Sequence, residues 1–387
     1  MTLPVRQVHR LGQTRSGRVR AARITDLAAL GDLSRLSHGA HATDPGAEQN
    51  GTRQDDERVR SLGLPFSSGQ IRVFSLFRMP LGGFGAHDQL YVYEDDRRLA
   101  GLLRAERDGR DEWTIVELDA VDDGTAGDIR FRLVHHLLRD ASKRGAARFH
   151  VACADIGGNV DLFMQAGFAR YGEEEILFRP ADRPLPPPLD DRTAADARIR
   201  PTRSLDALPL ARLYAAATPQ PVVRLEAYRL PDWERQGSQW RIPRSALTPI
   251  LRFADVESYA QERDVASGPE LAAFLQLGIA KEDQPHYLRV ITRPDHDPSP
   301  LIDYGLGLVG ERSTRGAGRE LASTFTAGLI GGHSREPAVV SAVRTYESPL
   351  DRRLEEAAFE PIATVSLLLK ETLVRVAEPA MVPATTR

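Results

Sequence analysis

The chain has 387 residues, with 51 lysines and arginines against 54 aspartates and glutamates and a formal net charge of -3. Hydrophobic residues at 41% and charged residues at 27% describe a globular protein rather than a disordered one, and at roughly 100–200 residues per domain the length implies more than one. The near-neutral charge excludes bulk attraction to nucleic acid or anionic membrane, and a single cysteine, Cys153, excludes an intramolecular disulfide or a cysteine-rich zinc site.

Residues 1–18 are arginine-rich, lack the apolar core of a signal peptide and read as a flexible tail, as do residues 377–387. No apolar stretch is long enough to span a membrane, so the expected compartment is the cytoplasm. Val19–Ile24 reads as a short strand. Thr25 then stands as the cap of a helix with Leu27, Leu30, Leu33 and Leu36 on one face. The polar, glycine-rich run Gly39–Gln54 reads as loop, followed by a short helix near Asp56–Ser61.

Leu90–Tyr93, Leu99–Glu106 and Trp113–Val121 are β-rich runs separated by turn signals, among them Asp108-Gly109, and read as an antiparallel meander. The loop Asp122–Gly127 leads into an amphipathic helix from Ile129 to Arg144, stopped by Gly145. A buried strand (Arg148–Cys153), a short helix (Asn159–Gln165) and a strand (Gly172–Phe178) follow. The proline-rich stretch around residues 180–197 continues neither helix nor central strand and reads as an extended linker.

Beyond it the plan repeats faintly. Leu27, Ala29 and Leu30 match Leu205, Ala207 and Leu208; after a one-residue gap Leu33, Arg35 and Leu36 match Leu210, Arg212 and Leu213. Ala166-Gly167-Phe168 matches Ala357-Ala358-Phe359, each followed ten residues later by Phe178-Arg179 or Leu369-Lys370. Common order and spacing point to duplication.

Other signals carry less chemistry. Arg315-Gly316-Ala317-Gly318 resembles a phosphate cradle opening a helix at Leu321–Ile330, but lies far from the preceding strand, so Gly310–Glu336 reads as a mobile insertion. His135 and His136 diverge by about 100° on a helix and do not chelate one metal. Tyr228, Trp233, Trp240 and Phe253 either anchor their segment to a core or line a pocket between the halves. Asp122-Asp123 is a solvated turn, or an attractor for an amine if it faces substrate.

Residues 19–179 resemble a complete domain of the GNAT (N-acetyltransferase) superfamily, and residues 198–376 resemble it more loosely. The resemblance is carried by the meander ending in Ile115–Val121, the helix bearing Leu133, Val134, Leu137, Leu138 and Ala141 before Arg144-Gly145, and the segment Asn159–Phe168. In the second half Tyr287–Thr292, Val339–Arg344, Leu354–Phe359 and Thr364–Lys370 take the corresponding places. The resemblance implies an α/β (α+β) protein of two tandem domains, joined by the linker at residues 180–197. Each would be a mixed, largely antiparallel twisted sheet with a central splayed parallel pair, flanked by helices.

It also implies a site. In the family the pantetheine of an acyl-CoA slots between the splayed strands, and glycines after the central strand let backbone amides reach the diphosphate at a helix N-terminus. Thr125, Asp128 and Arg130 stand where that loop has its Gln or Arg and its small residues, with Gly127 one position away. Val121, Gly127 and Asn159 are the candidate cofactor-binding residues. The family's acid tyrosine is replaced by Phe163 and, in the second half, Leu354. Glu117 is the candidate general base, a solvated or salt-bridged glutamate being the plainer alternative; alternation puts it opposite Val116 and Leu118. The implied reaction moves acetyl from acetyl-CoA to a primary amine of a small molecule or peptide, without a metal. The alternative is a non-catalytic tandem scaffold that binds a ligand or protein partner.

Overall fold

The computed structural model describes residues 17–26, 28–30, 33, 59–66, 88–96, 98–107, 111–121, 124–237, 240–266, 268–280, 284–323 and 337–372. Its strands are β1 (Arg18–Ala21), β2 (Val59–Arg60), β3 (Asp88–Asp95), β4 (Arg98–Arg107), β5 (Glu112–Val121), β6 (Arg148–Ala154), β7 (Ala169–Arg179), β8 (Ile199–Pro201), β9 (Phe253–Val265), β10 (Gly268–Ala280), β11 (His286–Thr292), β12 (Val339–Arg344) and β13 (Glu360–Glu371). Its helices are α1 (Ala126–Lys143), α2 (Asn159–Gln165), α3 (Asp191–Asp196), α4 (Ala207–Ala217), α5 (Gln220–Glu226), α6 (Leu230–Glu234), α7 (Ser299–Ser323) and α8 (Ser348–Glu356).

The strands form one sheet in the order β1-β3-β4-β5-β6-β13-β7-β12-β11-β10-β9-β8, with β2 beside β5. The two halves exchange their last strands: β13 lies against β6, and β7 lies against β12. The exchanged strands pair with each other at the centre. Each also closes a helix of the other half. Lys370 at the end of β13 donates to the Ala166 carbonyl beyond α2 (2.7 Å), and Arg179 at the end of β7 donates to the Ala357 carbonyl beyond α8 (3.1 Å). These are the residues that the matched Ala-Gly-Phe and Ala-Ala-Phe segments bring into register.

Helix α1 forms because Ile129, Leu133, Val134, Leu137 and Ala141 recur at three and four residues and bury one stripe, and it stops where Gly145 turns to φ +90°. It lies close enough to the sheet that a Cβ on Gly101 would meet Ile129 at 2.6 Å. Leu62, Ile115, Leu118, Phe149 and Phe163 belong to the same buried cluster. A second cluster beneath α7 and α8 joins Leu288, Val290, Leu306 and Leu354, and a third gathers Trp233 and Trp240 against α4. The proline-rich stretch also packs: a Cβ on Gly307 of α7 would meet Pro188 at 2.8 Å, and Asp190 caps α3 by accepting from the Thr193 amide (2.7 Å).

Several local expectations are corrected. Residues 59–60 pair as a strand with Ala120 and Val121 where the charged run reads as a helix. Thr25 lies inside a 3-10 turn, Ile24–Asp26, where the Asp26 carboxylate accepts from the Arg23 amide (2.7 Å). Arg315–Gly318 lies within α7, so its amides stand in a helix rather than in a cradle at a helix start. The duplication itself runs in a gapless register. Arg20, Arg23, Asp26, Leu30 and Leu33 recur as Arg200, Arg203, Asp206, Leu210 and Leu213, whereas Leu205, matched to Leu27 in the gapped register, is exposed. Leu27, Leu36, Gly39–Gln54, Asp108-Gly109 and Asp122-Asp123 lie outside the described residues.

The repeated residues make the same brace twice. Arg20 pairs with Asp26 (2.6 Å) and Glu94 (2.8 Å); Arg200 pairs with Asp206 (2.8 Å) and Glu262 (2.6 Å). Hydrogen bonding from Arg20 holds the Asp26 carboxyl below its ordinary range. Burial opposes charge on Asp206, but Arg200 outweighs it and that carboxyl is lowered too.

At the joint, Arg344 of β12 is buried between Glu174 of β7 (2.7 Å) and Glu226 of α5 (2.9 Å). Glu226 also accepts from the hydroxyls of Tyr171 (3.3 Å) and Tyr214. Charge-assisted bonds of this kind satisfy a guanidinium that burial alone would strand.

Candidate functional site

Each half contains a fork. Strands β5 and β6 run parallel and pair only from Glu112–Ile115 with Arg148–Val151, after which they diverge. Strands β11 and β12 pair only at His286–Tyr287 with Val339–Val340. Diverging parallel strands leave edge groups that must find other partners.

In the first half the fork opens onto a cavity of about 790 Å³. Its floor is Thr114, Ile115 and Val116 of β5 with His150, Val151 and Ala152 of β6, and its roof comes from residues 241–246 and 248–256 of the second half. Tyr171, Tyr228 and Phe253 also line it, while Trp233 and Trp240 are core, so the aromatic segment does both things expected of it. Burial, reinforced by Glu226, pushes the Tyr171 phenol well above its ordinary value, so it stays protonated.

Towards the open end, α1 begins at Ala126 and Thr125 supplies no side-chain cap. The Ile129 amide bonds to the Thr125 carbonyl (3.1 Å), and the three helical amides before it have no acceptor within the helix. A Cβ on Gly127 would meet nothing within 4 Å among the described residues, so the space beside this glycine is open. Asp128 leans along the helix to Arg132 (2.8 Å) rather than across the helix start. The local field of the first turn therefore favours an anion.

The mouth of the fork is taken by the chain's own main chain. β2 pairs antiparallel with β5 on the edge that faces β6, Val59 opposite Val121 and Arg60 opposite Ala120. The Leu62 carbonyl then accepts from the Ala154 amide at the end of β6 (2.9 Å). The Ser61 carbonyl accepts from Asn159 Nδ2 (3.0 Å) and Arg130 Nη2 (3.4 Å), and Arg130 donates to Asn159 Oδ1 (2.6 Å). Asn159 is thus a buried clamp that also donates to the Ala154 carbonyl (3.1 Å).

Of the other sequence-derived site residues, Val121 is buried beside Leu30, Leu33 and Val92, with its backbone at the β2 pairing. Glu117 receives Arg104 (3.3 Å) and is not among the residues lining the cavity. Its strand carries a bulge: Ala105 opposes Ile115 while Arg104 opposes Glu117, which breaks the alternation that assigns its face. Phe163 and Leu354 are wholly buried at equivalent turns, their carbonyls accepting from Phe168 and Phe359 (3.0 Å each). Sequence reasoning does not find His150 or the clamp role of Arg130, and of the cavity wall supplied by the second half it anticipates only the aromatic Tyr228 and Phe253.

The second fork is crossed by side chains. Arg289 of β11 meets Glu347, just beyond β12, through two bonds (2.8 and 3.1 Å); Arg289 is buried and Glu347 is partly so. Burial works against the Arg289 charge, but Glu347 outweighs it and holds the guanidinium protonated. Among the described residues there is no group of acidic, histidine and cysteine side chains able to hold a metal ion, and no helix long and apolar enough to cross a membrane.

No protein-family model matches the chain, and no curated protein matches it in sequence. Solved structures do. A GCN5-related N-acetyltransferase from Sphaerobacter thermophilus aligns over 92% of this chain and 95% of that one, with 12% identity and a TM-score of 0.50. A tandem GNAT protein from the clavulanic acid biosynthesis pathway aligns over 92% and 98%, at 17% identity and a TM-score of 0.45. A putative acetyltransferase from Pyrococcus horikoshii aligns over 95% and 94%, at 8% identity and a TM-score of 0.45. The Sphaerobacter likeness covers both halves and bears on fold alone. With paired forks, duplicated braces and that likeness, the chain has the tandem GNAT fold.

Proposed function

We propose that the protein is a GNAT-like acyltransferase whose first half carries the site, taking acetyl from acetyl-CoA and passing it to a primary amine that enters through the cavity at the joint. The observation that carries this reading is the β5–β6 fork with a cavity over its paired end and, following β5, a helix α1 whose first turn lacks a Thr125 side-chain cap. A cavity of this size suits a small ligand. Residues 126–128 would face the diphosphate through their amides. The fit stops inside the fork, where residues 59–62 take the edges an acyl-CoA arm needs.

Within the cavity, His150 is the side chain of the type most used to accept a proton from an attacking amine. Glu117 is held by Arg104 and fits that role less well. The cytoplasm is the proposed compartment.

A second reading, a non-catalytic scaffold that binds a ligand or protein, is favoured by one observation: both forks are bridged by the chain itself. Thermal unfolding with added acetyl-CoA separates the two. At a hundredfold excess over Kd a bound ligand adds about 2.7 kcal/mol. A clear rise in Tm, followed by thiol release with an amine panel, supports the transferase; no rise at millimolar acetyl-CoA leaves the scaffold.

A further inference from the structure

The segment from Val59 to Leu64 is a short strap held by main-chain bonds to both arms of the first fork and by side chains of the helices that follow them. Its backbone is a strand on β5 at one end and an acceptor for β6 at the other. Its middle is held by Asn159 and Arg130, at the starts of α2 and α1. Leu62 and Leu64 are buried in the main core cluster, and Leu64 forms part of the cavity wall. An extended segment with alternating amides and carbonyls has here the hydrogen-bonding geometry of a ligand for two diverging edges.

We infer that this strap is a built-in competitor for the fork: an acyl-CoA, whose pantetheine arm also presents amides in an extended chain, enters only when residues 59–62 leave. The inference rests on the transferase reading and gives its regulation. Strap and acyl arm compete for the backbone of Ala120, Val121 and Ala154. Affinity for acyl-CoA is therefore reduced by the fraction of molecules whose strap is out. Whatever draws the strap away, such as a partner that binds the released segment, turns the site on without touching it. Among the described residues the second fork holds no main-chain strap, and the Arg289–Glu347 pair bridges it instead.

The test uses the full chain and acetyl-CoA. Leu62→Ala weakens the strap's anchor, with Leu64→Ala as the substitute should Leu62→Ala not fold. Calorimetry is expected to show at least tenfold tighter acetyl-CoA binding by the variant than by the natural chain. Amide hydrogen exchange of the natural chain is expected to show residues 59–66 losing protection as acetyl-CoA saturates it. Equal affinities, or binding with the strap still protected, overturn the strap and leave the transferase reading standing. Binding by neither chain overturns both, because a released fork has to accept the arm.

Discussion

The two forks pose the same physical problem and solve it with different chemistry. Both arise where parallel strands diverge and leave edge groups unpaired. In the first half a strand of main chain fills the gap, held by backbone hydrogen bonds and two leucines. In the second half the Arg289–Glu347 pair spans it, with the guanidinium out of water and the carboxylate largely so. Edge pairing over a few residues opens at modest cost, because water replaces each lost bond. Parting a buried ion pair strands two charges. The difference teaches that duplicated forks can be closed by a main-chain strand in one copy and by a side-chain ion pair in the other.

The largest effect that could break this comparison is at Arg289. Arg289→Met strips the guanidinium from the partly buried Glu347, which keeps only the Arg344 amide (2.9 Å), and is expected to cost about 3 kcal/mol of stability in urea unfolding. The double substitution Arg289→Met with Glu347→Leu restores part of that, because an apolar pair of similar size is often no worse than the ion pair, while the Arg344 amide loses its acceptor. If Arg289→Met alone were neutral, the second fork would not be a brace. Acetyl-CoA binding should be unchanged in the double variant, since the site is assigned to the other half.

The paired arginine braces come next. Arg20→Ala and Arg200→Ala each remove a guanidinium shared by two carboxylates, and each is expected to cost about 1–3 kcal/mol. The pH dependence has a definite sign. Asp26 and Asp206 titrate below their ordinary value of 3.8 in the folded chain. Their contribution is therefore full above that value and is lost as pH falls through the lowered ones. Chemical unfolding from pH 6 to about pH 2 should show a steeper acid loss in the natural chain than in either variant. Equal slopes would mean that the braces do not hold the carboxylates ionised.

How much of this is legible in the sequence depends on the kind of interaction. The meander and α1 announce themselves because alternation and three-four spacing are local. The strand exchange is silent, since alternation specifies which face of β7 or β13 is buried but not which neighbour it joins. The strap reads as a charged helix because its strand pairing comes wholly from β5, and tertiary pairing overrides a weak local preference. The arginine-aspartate repeat is present in the sequence in a gapless register, yet leucine matching favours a gapped one that puts exposed Leu205 in the core. Asn159 and Gly127 can be named from the resemblance. That Asn159 clamps the strap depends on Arg130 and Ser61, which are distant in sequence.

The smallest effect sharpens the comparison at the turns after α2 and α8. Gly167 adopts φ +86° and Ala358 φ +67°, the left-handed conformation that lets each helix end and the exchanged strand begin. Alanine pays for that conformation with a clash between Cβ and its own carbonyl of about 1–2 kcal/mol, which glycine avoids. Ala358→Gly gains this but gives back part of it through the freer unfolded chain, so a net rise in stability of about 0.5–1 kcal/mol is expected. Gly167→Ala carries the opposite sign and a larger size, because its new Cβ would also meet the Lys370 ammonium that donates to Ala166. Paired melting curves check both at once. Should Ala358→Gly destabilise, the two turns are not equivalent, and the duplication would hold for the strands without extending to the helix ends they cap.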